Sequence, residues 1–156
     1  MSEVLVTVSD ATAKSLQELI RLNVDSAEGF TAAAGIIDDK RIAELFREYA
    51  AQRTSNAEEL KASVAFNGEE PASSGTTSGT LHRWWLELRS TVAGGSAAQV
   101  LTEAERGEDA IKKAYEGIIR EVAGSPIADL LMTQFRGVKA AHDHVRDLRD
   151  AYKAAK

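Results

Sequence analysis

The sequence contains no cysteine among its 156 residues. Disulfides, thiolate zinc sites, iron–sulfur clusters and a cysteine nucleophile are therefore excluded, and any metal site must use histidine and carboxylate ligands. Basic residues are not in excess either, since 24 acidic side chains outnumber 19 lysines and arginines and the two signs are mixed along the chain. This balance argues against binding to nucleic acid or to an anionic membrane, because either would favour a basic stripe.

Long apolar runs are also missing. The N-terminal stretch MSEVLVTVSD carries an acid at Glu3 and only a few consecutive apolar residues, which is too little for a signal peptide or a membrane span. We therefore expect a cytoplasmic protein. The length suits one domain with a substantial core but not two, so residues 1–156 are expected to form a single domain.

Proline is scarce, with Pro71 and Pro126 as its two occurrences. Glycine, serine and threonine cluster at 67–80 and 93–96, and the segments between these breaks are rich in alanine and repeat their apolar residues at the helical period. The pattern predicts an all-α fold. Its four long helices are expected at about 10–37, 41–66, 96–123 and 126–154.

A long connection, residues 67–95, separates the second and third predicted helices. Each helix spans roughly 40 Å at 1.5 Å per residue, so a connection of this length can return along the whole bundle and leave these two helices parallel. A short helix is predicted within it at about 81–92, carrying Trp84 and Trp85. Two helical hairpins joined by one long crossover form the ferritin-like, antiparallel four-helix topology.

A few polar residues interrupt the apolar stripes of these helices. Arg53 and Asn56 project inward from the second helix, Glu108 lies near the middle of the third stripe with Glu105 one turn before it, and His142 faces the bundle or its edge. An unpaired buried charge costs several kcal/mol. These charges must therefore neutralise each other or be neutralised by something else.

Two histidines two residues apart, His142 and His144, suggest a metal site at first sight. Residues at this spacing point about 200° apart on a helix, so the pair cannot bind one metal ion together. His144 is expected at the margin of the bundle, facing solvent or a neighbouring element.

Three stretches, SGTLHRWWLELRS, AERGED and GVKAAHDHVRDLRD, resemble a small bacterial ferritin-like four-helix-bundle family of unknown function. The resemblance covers nearly the whole chain. The family is itself distantly similar to ferritins and rubrerythrins. The wider superfamily implies two bound metals, held by a Glu on the first helix, Glu-x-x-His on the second, Glu on the third and Glu-x-x-His on the fourth. By this resemblance, potential ligands remain at Glu28, Glu105, Glu108 and His142, whereas other ligand positions hold Arg53, Asn56 and Lys139.

Replacing two ligand carboxylates by Arg53 and Lys139 removes two negative charges and adds two positive ones, which disfavours a di-iron centre. We interpret the pattern as a vestigial metal site, in which these cations pair with Glu108, Glu105 and Glu28. Lys139 lies on the flank of its stripe and could instead extend outward. No cofactor is expected in this interpretation.

The sequence contains no phosphate-binding loop, no G-x-S-x-G and no H-E-x-x-H. We therefore favour a non-catalytic bundle that binds a protein partner or itself, as a monomer or dimer, with an exposed tryptophan at Trp84 or Trp85 as the contact. The alternative is a metal-binding protein or oxidoreductase that uses iron or manganese. Its ligands would be Glu28, Glu105, Glu108 and His142.

Overall fold

The computed structural model describes residues 5–76, 82–83, 86–87 and 96–155. The predicted all-α fold is confirmed, and no strand occurs in these ranges. Each predicted helix bound lies within one or two residues of the observed one. The four long helices are α1 (Asp10–Ile36), α2 (Lys40–Phe66), α3 (Ala97–Glu121) and α4 (Ala128–Ala154).

Local capping explains where these helices start and stop. The side chains of Ser9, Asp39 and Ser96 accept hydrogen bonds from backbone N–H groups in the first turns of α1, α2 and α3, which satisfies donors that have no partner within the helix. Gly68 has φ +82°, a left-handed conformation that suits glycine, and it ends α2 directly after Asn67. The start of α4 has no side-chain cap.

The two hairpins are antiparallel. In the first, Asn67 at the end of α2 binds the backbone of Val6 and Val8 just before α1, and near the other end the rings of Phe30 and Phe46 lie 5.3 Å apart. In the second hairpin, contacts run from the start of α3 to the end of α4, through Glu105 with Arg149 and Tyr115 with Gln134.

The hairpins are joined so that α2 and α3 run parallel. Ser15 near the start of α1 contacts Glu121 at the end of α3. About two helical turns further along α1, Asn23 contacts Tyr115 of α3. Because α1 is antiparallel to both α2 and α3, those two helices point the same way. This is the arrangement that the long crossover predicts, and the ferritin-like four-helix bundle is confirmed.

The described beginning of the crossover returns along α1. The Gln17 amide donates to the Glu70 carbonyl and accepts from the Ala72 N–H, and Thr76 contacts Asp25, two helical turns further along α1. The segment thus travels toward the end of the bundle where α3 begins. Of the predicted short helix at 81–92, only residues 82–83 and 86–87 are described, and these are helical.

Apolar side chains from all four helices fill the interior. Leu16 and Ile20 of α1, Leu60 of α2, Leu101 of α3 and Val138 of α4 are all completely buried. None of the described helices is long and apolar enough to cross a membrane.

Asp25 fixes the crossover to α1 from a buried position. Only 2% of its surface is exposed, and its carboxylate accepts hydrogen bonds from the backbone N–H and the hydroxyl of Thr76. The crossover passes so close that a Cβ on Gly75 would lie 1.9 Å from Asp25 Oδ1. Burial raises the pKa of Asp25, although the bonds from Thr76 and the charge of His82 act in the opposite direction.

This raised pKa gives a testable pH dependence. Since the pKa of Asp25 in the folded chain exceeds its ordinary value of 3.8, the side chain favours folding below that pH, and this contribution is lost as the pH rises through the folded-state pKa. Asp25→Asn should therefore gain melting temperature relative to the wild type by a few degrees as the pH rises from 3 to 7, because only the wild type ionises a buried carboxylate over this range. Thermal melts of both proteins across this range provide the measurement, and a difference independent of pH would contradict the expectation.

Candidate functional site

The candidate site is built around an ion pair in the middle of the bundle. Arg53 on α2 and Glu108 on α3 are 0% and 1% exposed. The guanidinium donates through both terminal nitrogens, with Nη1 2.5 Å from one carboxylate oxygen and Nη2 2.6 Å from the other. This bidentate geometry matches the planar fork of arginine to the carboxylate, so the contact expected between these two residues is present.

The surroundings of Arg53 hold its charge in place. Nη1 also donates to the Ser26 hydroxyl of α1 at 2.7 Å, and the guanidinium lies 5.5 Å from the centre of the Phe30 ring. Burial alone lowers the pKa of Arg53, but the charge and hydrogen bonds of Glu108 raise it by more, so the pKa lies above its ordinary value. Arg53 therefore remains protonated, and only its Nε lacks a partner among the described residues.

One turn from this pair, a closed circuit of hydrogen bonds joins all four helices. The Asn23 side-chain amide donates to the Tyr115 hydroxyl, which donates to Gln134 Oε1. Gln134 Nε2 then donates to the backbone carbonyl of Asn56. The side-chain amide of Asn56 closes the circuit by donating to Asn23 Oδ1. Gln134 also donates to Glu59. Because each buried polar group in the circuit has a partner, it fixes the relative positions of the helices with no unsatisfied atom.

Two of the predicted carboxylates do not reach this site. Glu28 is exposed on the surface of α1, and Ser26, two residues earlier, is the side chain that faces Arg53. Glu105 lies at the margin between α3 and α4, where it forms an ion pair with Arg149. The expected pairing of Glu28 and Glu105 with core cations is therefore wrong, since neither carboxylate contacts Arg53 or Lys139.

On the fourth helix, the structure bears out the outward alternative for Lys139 and not its expected place in the core. Lys139 is not a core residue: its side chain is 54% exposed and forms an ion pair with Asp143, with Nζ 2.8 Å from Oδ2. The positions of α4 that face the interior at a spacing of three are Val138 and Ala141, which are 0% and 1% exposed. No ligand side chain therefore reaches the interior from α4 at this level.

His142 is buried, but at the seam between α3 and α4. Its Nδ1 lies 3.0 Å from Asp143 Oδ1 and its Nε2 lies 3.7 Å from Asp109 Oδ1. Bonds from Lys139 and from His142 lower the pKa of Asp143 to about 2, so this carboxylate stays ionised. His142 therefore contacts carboxylates at the edge of the bundle, and no hydrogen bond or ion pair joins it to Glu108.

The remaining histidine and the tryptophans complete the predicted set. His144 is exposed, as expected, and its Nδ1 lies 2.9 Å from the Tyr49 hydroxyl. Trp84 and Trp85, the predicted partner contacts, lie outside the described residues.

The sequence argument missed Ser26, Tyr115 and Gln134 as members of the polar interior. Tyr115 and Gln134 are in phase with the apolar stripes of their helices, and a polar side chain at such a position is the signal that identifies them. Ser26 gives no such signal, because a small hydroxyl residue fits equally well on a surface or in a core.

The chemistry available at this site is limited. In the part of the chain that the structure describes, no three His, Asp or Glu side chains lie close enough together to hold a metal ion. The residues present therefore do not fit a two-metal centre, since the interior carboxylate at Glu108 is already bound by a cation. Burial raises the pKa of Tyr115, which keeps its proton and acts only through hydrogen bonds.

Comparisons with known proteins agree with this fold. The pattern of a family described as a domain of unknown function, DUF2383, matches residues 11–121. None of the curated proteins matches the chain.

Among solved structures, Dps from Mycobacterium smegmatis in a tetragonal form is similar with a TM-score of 0.65 and 14% sequence identity, covering 94% of this chain and 92% of that one. At this identity the likeness shows the fold and carries no function with it. The resemblance to a ferritin-like family of unknown function is confirmed. Because the family pattern spans more than half of the sequence, the chain belongs to the DUF2383 family.

Proposed function

We propose that this chain is a non-catalytic ferritin-like bundle with a vestigial metal site, and that it acts by binding a protein partner or a second copy of itself. The observation that carries the proposal is the buried, bidentate contact between Arg53 and Glu108. A divalent cation at this point would have to displace the guanidinium and would meet its positive charge, which costs far more in a buried site than at a surface.

The neighbouring positions support the same proposal. At the positions that the resemblance matches to superfamily ligands on α2, this bundle has Arg53 and Asn56, and beside the matched positions on α1 and α4 its interior has Ser26, Val138 and Ala141. A two-metal site needs several carboxylates to balance its charge. Among the described carboxylates, Glu108 is the one that contacts Arg53 in the centre of the bundle, so we propose no iron, manganese or other cofactor.

An interaction role is favoured by what remains on the surface. Phe66 is 54% exposed and Leu5 is 40% exposed, and both lie at the end of the bundle where Asn67 binds Val6 and Val8. Leu86, next to the predicted contacts Trp84 and Trp85, is 47% exposed. Apolar groups of this kind contribute to protein interfaces, whereas the net acidic charge disfavours nucleic acid.

Elemental analysis tests the proposal directly. Protein purified after growth with added iron and manganese should carry well under one metal ion per chain, and dialysis against a chelator should leave its melting temperature unchanged. Stoichiometric metal that survives gel filtration, or a melting temperature that falls on chelation, would show that the site still functions. Sedimentation over a range of concentrations distinguishes self-association from a monomer that needs another partner.

A further inference from the structure

A groove with a volume of about 390 Å³ lies between the first turns of α2 and the last turns of α4. His144, Leu148 and Tyr152 follow one another at a spacing of four, so they lie on one face of α4 and form one wall. The volume falls within the range of pockets that bind small molecules. The groove is lined by apolar Ile42, Leu45 and Leu148 together with polar Asp39, Arg41, His144 and Tyr152.

The acceptor groups of the groove are already engaged. Asp39 Oδ1 accepts from the backbone N–H groups of Arg41 and Ile42 at 3.0 and 3.1 Å, and Asp39 Oδ2 accepts from the Tyr152 hydroxyl. The bond to Tyr152 and those to the backbone lower the pKa of Asp39, and the bond to Asp39 raises the pKa of Tyr152. Both carboxylate oxygens of Asp39 thus already accept hydrogen bonds, one from the start of α2 and the other from Tyr152.

The polar groups of the groove that remain open lie at Arg41 and His144. The Tyr49 hydroxyl and His144 Nδ1 lie 2.9 Å apart and share a hydrogen bond whose direction depends on the tautomer of the histidine. His144 Nε2 has no partner among the described residues, and it donates a hydrogen bond when it carries a proton. The guanidinium of Arg41 likewise has no hydrogen bond or ion pair within the described ranges, although its charge acts on the neighbouring Asp39.

We propose that this groove binds a small carboxylate with a short aliphatic tail. The carboxylate accepts hydrogen bonds from Arg41 and from His144 Nε2, and the tail lies on Ile42, Leu45 and Leu148. A carboxylate suits the guanidinium of Arg41 and a donating His144 Nε2, whereas a cation is repelled by Arg41 and a neutral alcohol lacks the charge-assisted bonds. This site is separate from the buried ion pair and depends on neither metal content nor a protein partner.

The test is a titration of the full chain with hexanoate, followed by backbone amide shifts in NMR spectra and by calorimetry. Hexanoate should bind saturably, with shifts centred on the first turns of α2 and the last turns of α4. Hexan-1-ol and hexylammonium should bind at least about tenfold more weakly, since each lacks the charged acceptor. Equal binding of either compound, or no saturable binding of hexanoate, would overturn the proposal.

A variant tests the contact with the carboxylate head group, and ligands of different chain length test the contact with the tail. Arg41→Gln should weaken hexanoate binding about tenfold, because it removes the cation and leaves the backbone cap intact. Arg47→Gln, an exposed arginine on the same helix outside the groove, should have no effect. Wild-type affinity should rise roughly fourfold per methylene from butanoate to hexanoate. An Arg41→Gln protein that binds normally, or an affinity independent of chain length, would contradict the assigned contacts.

Discussion

Glu108→Gln should lower the free energy of unfolding by about 3–5 kcal/mol, the usual cost of removing one partner from a buried ion pair. Glutamine has nearly the same shape as glutamate, so the substitution leaves little cavity. It removes the negative charge and turns one of the two acceptors of Arg53 into a donor. Arginine cannot release its proton in a protein, so a buried, uncompensated charge remains between α2 and α3.

Such a loss is large against the 5–15 kcal/mol that stabilises a typical domain. Urea denaturation followed by circular dichroism measures it. Lys113→Gln removes an exposed partner of Asp109 and serves as the control, because its side chain is 72% exposed and a surface pair of this kind contributes little. A Glu108→Gln protein as stable as the wild type would mean that the charge of Arg53 is neutralised by something other than Glu108.

A double variant decides whether the pair stabilises the bundle or only avoids a penalty. Arg53→Met with Glu108→Leu removes both charges and keeps most of the volume, and Ser26 can turn its hydroxyl to a carbonyl of its own helix. Apolar replacement of a buried ion pair is often neutral or stabilising by about 1–4 kcal/mol. We therefore expect the double variant to regain at least the wild-type stability, and a double variant as unstable as Glu108→Gln would contradict this.

Apolar periodicity was sufficient to predict the helices and their order. The α2 stripe placed Arg53 inward and the α3 stripe placed Glu108 inward, and the high cost of a buried charge required each to be neutralised, with their mutual pairing as one of the alternatives. The long 67–95 connection predicted parallel α2 and α3. These inferences depend on the spacing of apolar residues and on the length of the connections, and a single sequence shows both directly.

The register of single polar residues could not be obtained in the same way. One residue changes the direction of a side chain by about 100° on a helix, so Lys139 lies outside while its neighbour Val138 is buried. The expectation for Lys139 came from matching His142 to a ligand position. The structure places His142 at the α3–α4 seam, and that small rotation moves the α4 part of the predicted ligand pattern off the interior.

The hydrogen-bond circuit was beyond sequence reasoning for another reason. Asn23, Asn56, Tyr115 and Gln134 come from four different helices, and their partners depend on how far each helix slides along its neighbours. That offset is set by the packing of the whole core. Once it is set, the circuit and the ion pair one turn away give a register in which every buried side-chain nitrogen and oxygen except Arg53 Nε and Gln52 Oε1 has a hydrogen-bond partner in the described chain.

Arg53→Glu combined with Asn56→His should convert this interior into a site whose stability depends on metal. Two carboxylates, one from α2 and one at Glu108, would then face each other in a buried place with no cation between them. Without metal they must take up a proton or repel, and we expect the melting temperature to fall by on the order of 10 °C. A divalent cation supplies the missing positive charge, and the new imidazole supplies a nitrogen ligand.

Addition of Mn²⁺ should therefore raise the melting temperature of this double variant, by an amount that grows with the logarithm of the metal concentration. Arg53→Gln with Asn56→His is the matched control, because it loses the same ion pair without gaining a carboxylate and should show no such increase. The wild type should be unaffected as well. If the double variant folds and Mn²⁺ leaves its melting temperature unchanged, position 53 does not occupy a metal-ligand position, and the buried ion pair has an origin unrelated to metal binding.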